Sequence, residues 1–217
     1  MKRAVVIISV LLFVSPVYAD TIVQTVPFSG SPNFSQAATF NQFDDLGGTL
    51  TLQSIEVFFE LSIEDGILVL DNDGELGASG PYEFGGTGSI SSTDVPLIDA
   101  GFNPVVTDLG AYHTGTFNLD GNVGDGVGDF DPSAPDGIEI DFVSGVETIS
   151  DAGLIAETAW GGGDVGYLGS GTFDILVDVS QFVNTGSVGG IEYAVTPGPG
   201  FGDLQVTYIL SFLNRYL

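Results

Sequence analysis

The sequence predicts an all-β chain: a two-sheet antiparallel β-sandwich, jelly-roll or immunoglobulin-like, of about ten strands. Three observations predict it. Apolar residues alternate with polar ones at period two in one segment after another, and no stretch shows helical periodicity. The chain's 32 glycines, with Asn, Asp and Pro, separate these segments as turn residues do. A 43% share of hydrophobic residues is enough to bury a core despite a heavy charge excess.

Taken in order, residues 21–28 and 37–43 are the first candidate strands. Leu50 and Leu52 then share one parity, while Ile55, Val57, Phe59, Leu61 and Ile63 share the other, which places a bulge or bend at Gln53-Ser54. Residues 67–70, 82–90 and 112–119 follow as short strands. Ile138, Ile140 and Phe142 alternate with Glu139 and Asp141. Phe173, Ile175, Val177 and Val179 point one way, with Asp174 and Asp178 opposite. Ile191, Tyr193 and Val195 repeat the pattern, and Leu204, Val206, Tyr208, Leu210 and Phe212 close it. Residues 71–81 and 120–137 read as long irregular connections, the kind that carry function.

Residues 1–19 read as a cleavable secretory signal. Lys2 and Arg3 form a positive start, Ala4 to Val14 a short apolar run, and Val17-Tyr18-Ala19 a peptidase-compatible end. Residues 20–217 then form a single acidic β-sandwich domain. No later run is long enough for a transmembrane helix. Only Arg215 remains to oppose 29 acids, so the mature charge is −28. Such a chain repels nucleic acid and anionic membranes and attracts divalent cations. There is no cysteine, so disulfides and thiolate metal sites are excluded.

Two carboxylate clusters are candidate Ca²⁺ sites, because hard oxygen ligands recur there at close spacing. The first holds Asp71, Asp73 and Glu75, but Leu76 and Tyr82 break the EF-hand pattern. The second holds Asp120, Asn122, Asp125, Asp129 and Asp131 among glycines that free backbone carbonyls to turn toward a cation. Read the other way, both are solvated turns. Trp160 is the one tryptophan; it either stacks on a sugar ring or folds back over the sandwich. His113 is the one histidine and reads as an exposed strand position, which leaves no triad and no histidine zinc site. The catalytic inventory is poor, and the expectation is not an enzyme.

Phe40-Asn41-Gln42-Phe43-Asp44-Asp45-Leu46-Gly47-Gly48-Thr49-Leu50 resembles the opening motif of choice-of-anchor E domains. Tyr167-Leu168-Gly169-Ser170-Gly171-Thr172-Phe173 and Gly202-Asp203-Leu204-Gln205-Val206-Thr207-Tyr208 resemble the family's later strands. The resemblance implies an exported bacterial, surface-associated β domain, often with a PEP-CTERM sorting tail. Asn214-Arg215-Tyr216-Leu217 does not match that tail, so no covalent anchor is expected.

The functional expectation is a secreted structural protein of the extracellular matrix, cell surface or a filament, binding calcium and self-associating. A secreted carbohydrate-binding module with a polysaccharide partner is the second reading, and a carboxylate-pair glycosidase the third. Residues 21–28 are either the domain's own edge strand or a strand donated to a neighbouring copy in a filament.

Overall fold

A computed structural model describes residues 19–122, 133, 135–142, 145–161 and 165–212. The signal read over residues 1–19 lies almost wholly outside these, as do Asp125, Asp129 and Asp131. The chain is all-β. Its eleven described strands are β1 (Ala19–Gly30), β2 (Phe34–Asn41), β3 (Leu50–Glu64), β4 (Gly66–Asn72), β5 (Ala78–Ser91), β6 (Leu109–Leu119), β7 (Gly137–Asp141), β8 (Val146–Leu154), β9 (Thr172–Asn184), β10 (Ile191–Pro197) and β11 (Gly200–Phe212). No helix among the described residues is long and apolar enough to cross a membrane.

The strands form open antiparallel sheets stacked as a sandwich. One layer is the four-stranded sheet β2-β9-β5-β6. The other comprises β1-β11-β3-β8 and a three-stranded sheet, β10-β4-β7. These last two sheets are one ladder with a bend. Ile63 pairs with Gly200 on the near side and Gly66 with Pro197 on the far side, three residues on along each chain. Register is therefore carried through the bend unchanged. Glu64 N–H donates to Pro199 O (3.1 Å) and Asp65 N–H to Gly145 O (3.1 Å), so the corner keeps its backbone bonds.

Two glycines make the corner possible. Gly66 has φ +114°, and a Cβ on it would lie 2.7 Å from the Phe84 ring. A Cβ on Gly198 would lie 1.7 Å from Glu64 O, because the β10–β11 crossover runs directly against β3.

The alternation read from the sequence is the core. Ile55, Val57, Phe59, Leu61 and Ile63 are all buried, facing Phe173, Ile175, Val177 and Val179 of β9. A one-residue slip of β3 would turn all five to water, at roughly 1.5–3 kcal/mol each, which pins the register. The expected irregularity at Gln53 is present: Ile209 pairs with Ser54 but Leu210 with Leu52, so Gln53 is the extra residue. Beyond the bend a second cluster forms, in which Leu68 and Leu70 of β4 pack on Tyr82, Phe84, Phe117 and Leu119.

The structure corrects one of these readings and decides another. Residues 71–81 are not one long loop: β4 runs on to Asn72 and β5 begins at Ala78. Asp71 is thus a strand residue, held between Glu192 of β10 and Gly137 of β7. Residues 21–28 pair along their length with the chain's own β11, from Ala19–Ser211 to Gly30–Gly200, so β1 is the domain's own edge strand. β8 carried no clear alternation in sequence because it is an edge strand whose residues are mostly exposed.

Two predictions follow from this architecture. Gly198→Ala should lower unfolding free energy by at least about 3 kcal/mol in a urea titration, since Cβ and the Glu64 carbonyl cannot both fit. Asp151 Oδ2 accepts from Thr107 N–H and Oγ1 (both 2.9 Å), and these bonds hold its pKa below the usual value. A depressed carboxylate stabilises above its unfolded value of 3.8 and loses that contribution as pH falls below it. Asp151→Ala should therefore cost about 1 kcal/mol at neutral pH and progressively less in melts below pH 3.8.

Candidate functional site

The two carboxylate clusters, some fifty residues apart in sequence, meet at the far end of the bent ladder, and Asn72 joins them. Its Nδ2 donates to Leu76 O (2.9 Å) and Asp120 O (2.6 Å), and its Oδ1 accepts from Gly74 N–H (3.0 Å). Backbone bonds extend the junction. Asn122 N–H donates to Gly74 O (2.8 Å), Asn72 N–H to Asp136 O (3.0 Å) and Asp73 N–H to Gly190 O (2.9 Å).

Asp71 is 2% exposed and Asp136 6%, whereas Glu75 and Asp120 point to solvent and Asn122 is half-buried. Glu192, which the sequence reading did not single out, joins them. It lies opposite Asp71 in register, and the charge of Asp73 is the main cause of its raised pKa. Desolvation, a hydrogen bond with Asp73 and the charge of Asp71 add to the shift. Asp73 Oδ1 is buried and has no hydrogen-bond partner among the described residues. No Lys or Arg occurs among the described residues. Among the described residues, no three His, Cys, Asp or Glu side chains are arranged as a ready metal cage. The corner therefore offers a close carboxylate pair, Asp73 and Glu192.

The opposite end of the sandwich carries a groove of about 620 Å³. Its wall is built by the two stretches that carry the family-like motifs. Phe43 N–H donates to Tyr167 O (2.7 Å) and Gly169 N–H to Phe43 O (3.0 Å), while Gln42 N–H donates to Gly171 O (3.0 Å). The buried Gln42 side chain clamps the same partner, its Nε2 donating to Gly166 O (2.9 Å) and its Oε1 accepting from Gly171 N–H (2.9 Å). Tyr167 Oη donates to Pro96 O (3.0 Å) and Tyr208 Oη to Asn41 O (2.9 Å). Burial pushes both phenols well above the usual tyrosine value.

Trp160 follows a single turn of 3-10 helix (Glu157–Ala159) and is half-buried on the main core. Its Nε1 donates to Ile155 O at 3.4 Å. It is folded back over the sandwich, the second of the two arrangements its sequence context allowed. One side of it, with Leu50, Leu52 and Leu168, lines the groove, and Asp44 and Asp45 stand at the rim.

His113 is not at an exposed strand position. It is 5% exposed, stacked on Phe142 with ring centroids 4.3 Å apart and planes 8° apart. Nδ1 is 3.7 Å from Glu147 Oε1, and Nε2 is buried without a hydrogen-bond partner among the described residues. The corner between β7 and β8 covers it: Gly145 sits so close that an added Cβ would be 3.0 Å from the imidazole. The strand's alternation put His113 on the inner parity, but its polarity argued for the outer face.

Together these ends define an acidic β-sandwich whose motif residues hold the fold. No family model matches the chain, and no curated protein does. Among solved structures, the chain is similar to the VP2 subviral particle of infectious bursal disease virus at 12% identity and a TM-score of 0.16. That match covers 88% of this chain and 37% of the viral one. A structure of the Gx strain of the same virus is similar at 12% identity and a TM-score of 0.12, covering 91% and 41%. The chain thus spans about two fifths of the viral chains' length.

Gln42→Leu keeps the volume but removes both clamp bonds. It should cost about 2–3 kcal/mol in denaturant unfolding, and proteolysis of the folded protein should move to the 166–171 segment.

Proposed function

We propose that this chain is a non-catalytic, exported structural domain of the extracellular matrix, the cell surface or a filament, of the choice-of-anchor E kind. It takes a divalent cation, Ca²⁺ foremost, at the Asp73–Glu192 corner, and copies associate once that charge is met. The observation that carries the reading is the carboxylate pair itself. Asp73 Oδ1 is buried and unpartnered, Glu192 is raised by the charge of Asp73, and no Lys or Arg among the described residues answers either. Ca²⁺ takes about six to eight oxygens, from carboxylates and carbonyls and from water where the protein supplies too few, so a carboxylate pair with water completing the shell suits it. The poor catalytic inventory and the burial of the lone histidine agree with a structural role.

The test is calorimetry with sedimentation velocity, in EDTA and in Ca²⁺. At about a hundredfold excess over its dissociation constant, Ca²⁺ should raise Tm by roughly 5–10 °C and shift the protein to larger species. Asp73→Asn and Glu192→Gln should each remove most of that shift. Without metal the pH response has a defined sign: a raised carboxylate stabilises at low pH and loses that contribution as pH rises through its folded value. The metal-free protein should therefore gain stability on mild acidification, and Glu192→Gln should abolish the gain. Identical Tm and sedimentation in EDTA and Ca²⁺ would overturn the proposal.

A further inference from the structure

Among the described residues, the non-glycine residues with positive φ are Asn33, Leu46, Asp65 and Phe102. Asn and Asp are common in that conformation, because their short polar side chains bond locally. Leucine and phenylalanine are not, and here both are left in solvent: Leu46 is 63% exposed and Phe102 78%. Each sits at a loop tip that is held in place. Leu46 N–H donates to Asp44 Oδ1 (2.9 Å) and Gly47 N–H to Asp45 Oδ1 (3.0 Å). Gly101 and Asn103 N–H donate to Asp99 Oδ1 (2.7 and 2.9 Å), and Phe102 N–H donates to Asp99 O (3.0 Å). Neither apolar side chain gains burial in return for its strained backbone.

The two tips flank Trp160. The turn at Leu46 borders the groove of about 620 Å³ already described. The loop of Phe102 borders a second opening, of about 690 Å³, lined by Asp99, Gly101, Pro104, Leu154, Glu157 and Trp160. Trp160 lines both, and Leu52 in one is followed along β3 by Gln53 in the other. Ala156 N–H donates to Ile98 O (2.9 Å), which ties the Trp160 segment to the Phe102 loop. This end of the sandwich is thus one surface, a half-buried indole between two projecting apolar residues, with Asp44, Asp45, Asp99 and Glu157 around it. The Asn103 N–H, foremost among the bonds to Asp99, holds its carboxyl below the usual value, so that charge persists into mild acid. No Lys or Arg among the described residues answers the four carboxylates.

Charge complementarity selects the occupant. A second copy brings the same acids and is repelled, as is an anionic surface. What fits carries apolar groups for the two openings and positive charge for the rim. Arginine serves the rim well, since its planar fork pairs with carboxylates and its face stacks on indole. We propose that this end docks an extended segment of a partner protein in which apolar side chains alternate with Arg or Lys. The apolar side chains lie against Leu46, Trp160 and Phe102, and the basic ones meet Asp44, Asp45, Asp99 and Glu157. Docking requires no cation at the far corner.

The probe is a synthetic peptide of alternating leucine and arginine, titrated into the full chain in EDTA, which separates the outcome from that of the calcium reading. Trp160 is the sole tryptophan, so its emission reports on this surface. The peptide should give a saturable blue shift and protect the indole from acrylamide. Leu46→Asn and Phe102→Asn should each weaken binding about fivefold or more, as loss of an apolar anchor does. Both variants should melt at or above the parent temperature, because asparagine accepts left-handed backbone. Asp44→Asn with Asp45→Asn, which keeps an acceptor oxygen at each turn position, should weaken binding about as much. Glu139→Gln with Asp141→Asn, on β7 at the far end, should leave it within about twofold. An equal loss from that distant pair, or equal binding of a peptide with serine in place of leucine, would show attraction by net charge alone and overturn the proposal. So would a Trp160 shift with phosphatidylcholine vesicles and none with the peptide, which would make the two tips lipid anchors instead.

Discussion

Backbone pairing between residues 50–72 and 191–212 is the constraint on which the rest of the molecule depends. It crosses a bend without losing register, and in doing so fixes both ends of the sandwich. At one end it sets Glu192 against Asp71, bringing like charges face to face where opposite charges would normally be placed. At the other it sets Phe212 beside Leu50 at the mouth of the groove. The corner depends on two positions where no side chain fits, Gly66 and Gly198. A change at either would shift both ends together, because the ladder transmits register along its length.

Much of the fold was legible because one parity of β3, β9 and β11 is apolar over the buried stretches, although Phe58, Leu176 and Ile209 interrupt the other. Ile55 to Ile63, Phe173 to Val179 and Leu204 to Leu210 are the inner faces, as the period-two pattern requires. The bulge at Gln53 was legible as a change of parity. Edge strands were less so. β8 is mostly exposed, Val146 and Leu154 included, and lacks a clean pattern, whereas β10 shows its alternation in sequence yet leaves Tyr193 exposed. The acidic corner was legible as two clusters, but not that Asn72 would tie one to the other. Nor was Glu192 legible, since strand register between distant segments leaves no trace in local composition. His113, expected at an exposed strand position, is buried because it falls on the inner parity of β6. Inside this core, stacking on Phe142 compensates for burying an imidazole.

The molecule stabilises its carboxylates in an unusual way, forced by its composition. With no Lys or Arg among the described residues, backbone N–H groups do the work that ion pairs do elsewhere. Asp99 accepts from Gly101 and Asn103 N–H, Asp151 from Thr107, and Asp44 and Asp45 from the two residues of the turn between them and β3. Such bonds are local and fix loops in place. The long-range repulsion among the carboxylates is left to solvent ions.

The pairing of β1 with β11 has a consequence in time. Ala19 meets Ser211, so β1 has no partner in its sheet until β11, far along the chain, has been made. Closing so long a loop is entropically costly, and folds dominated by such contacts form slowly. During that wait an apolar strand is exposed, open to capture by a chaperone or to pairing with the wrong chain. The edge of this sheet therefore commits to its place only after β11 has been made.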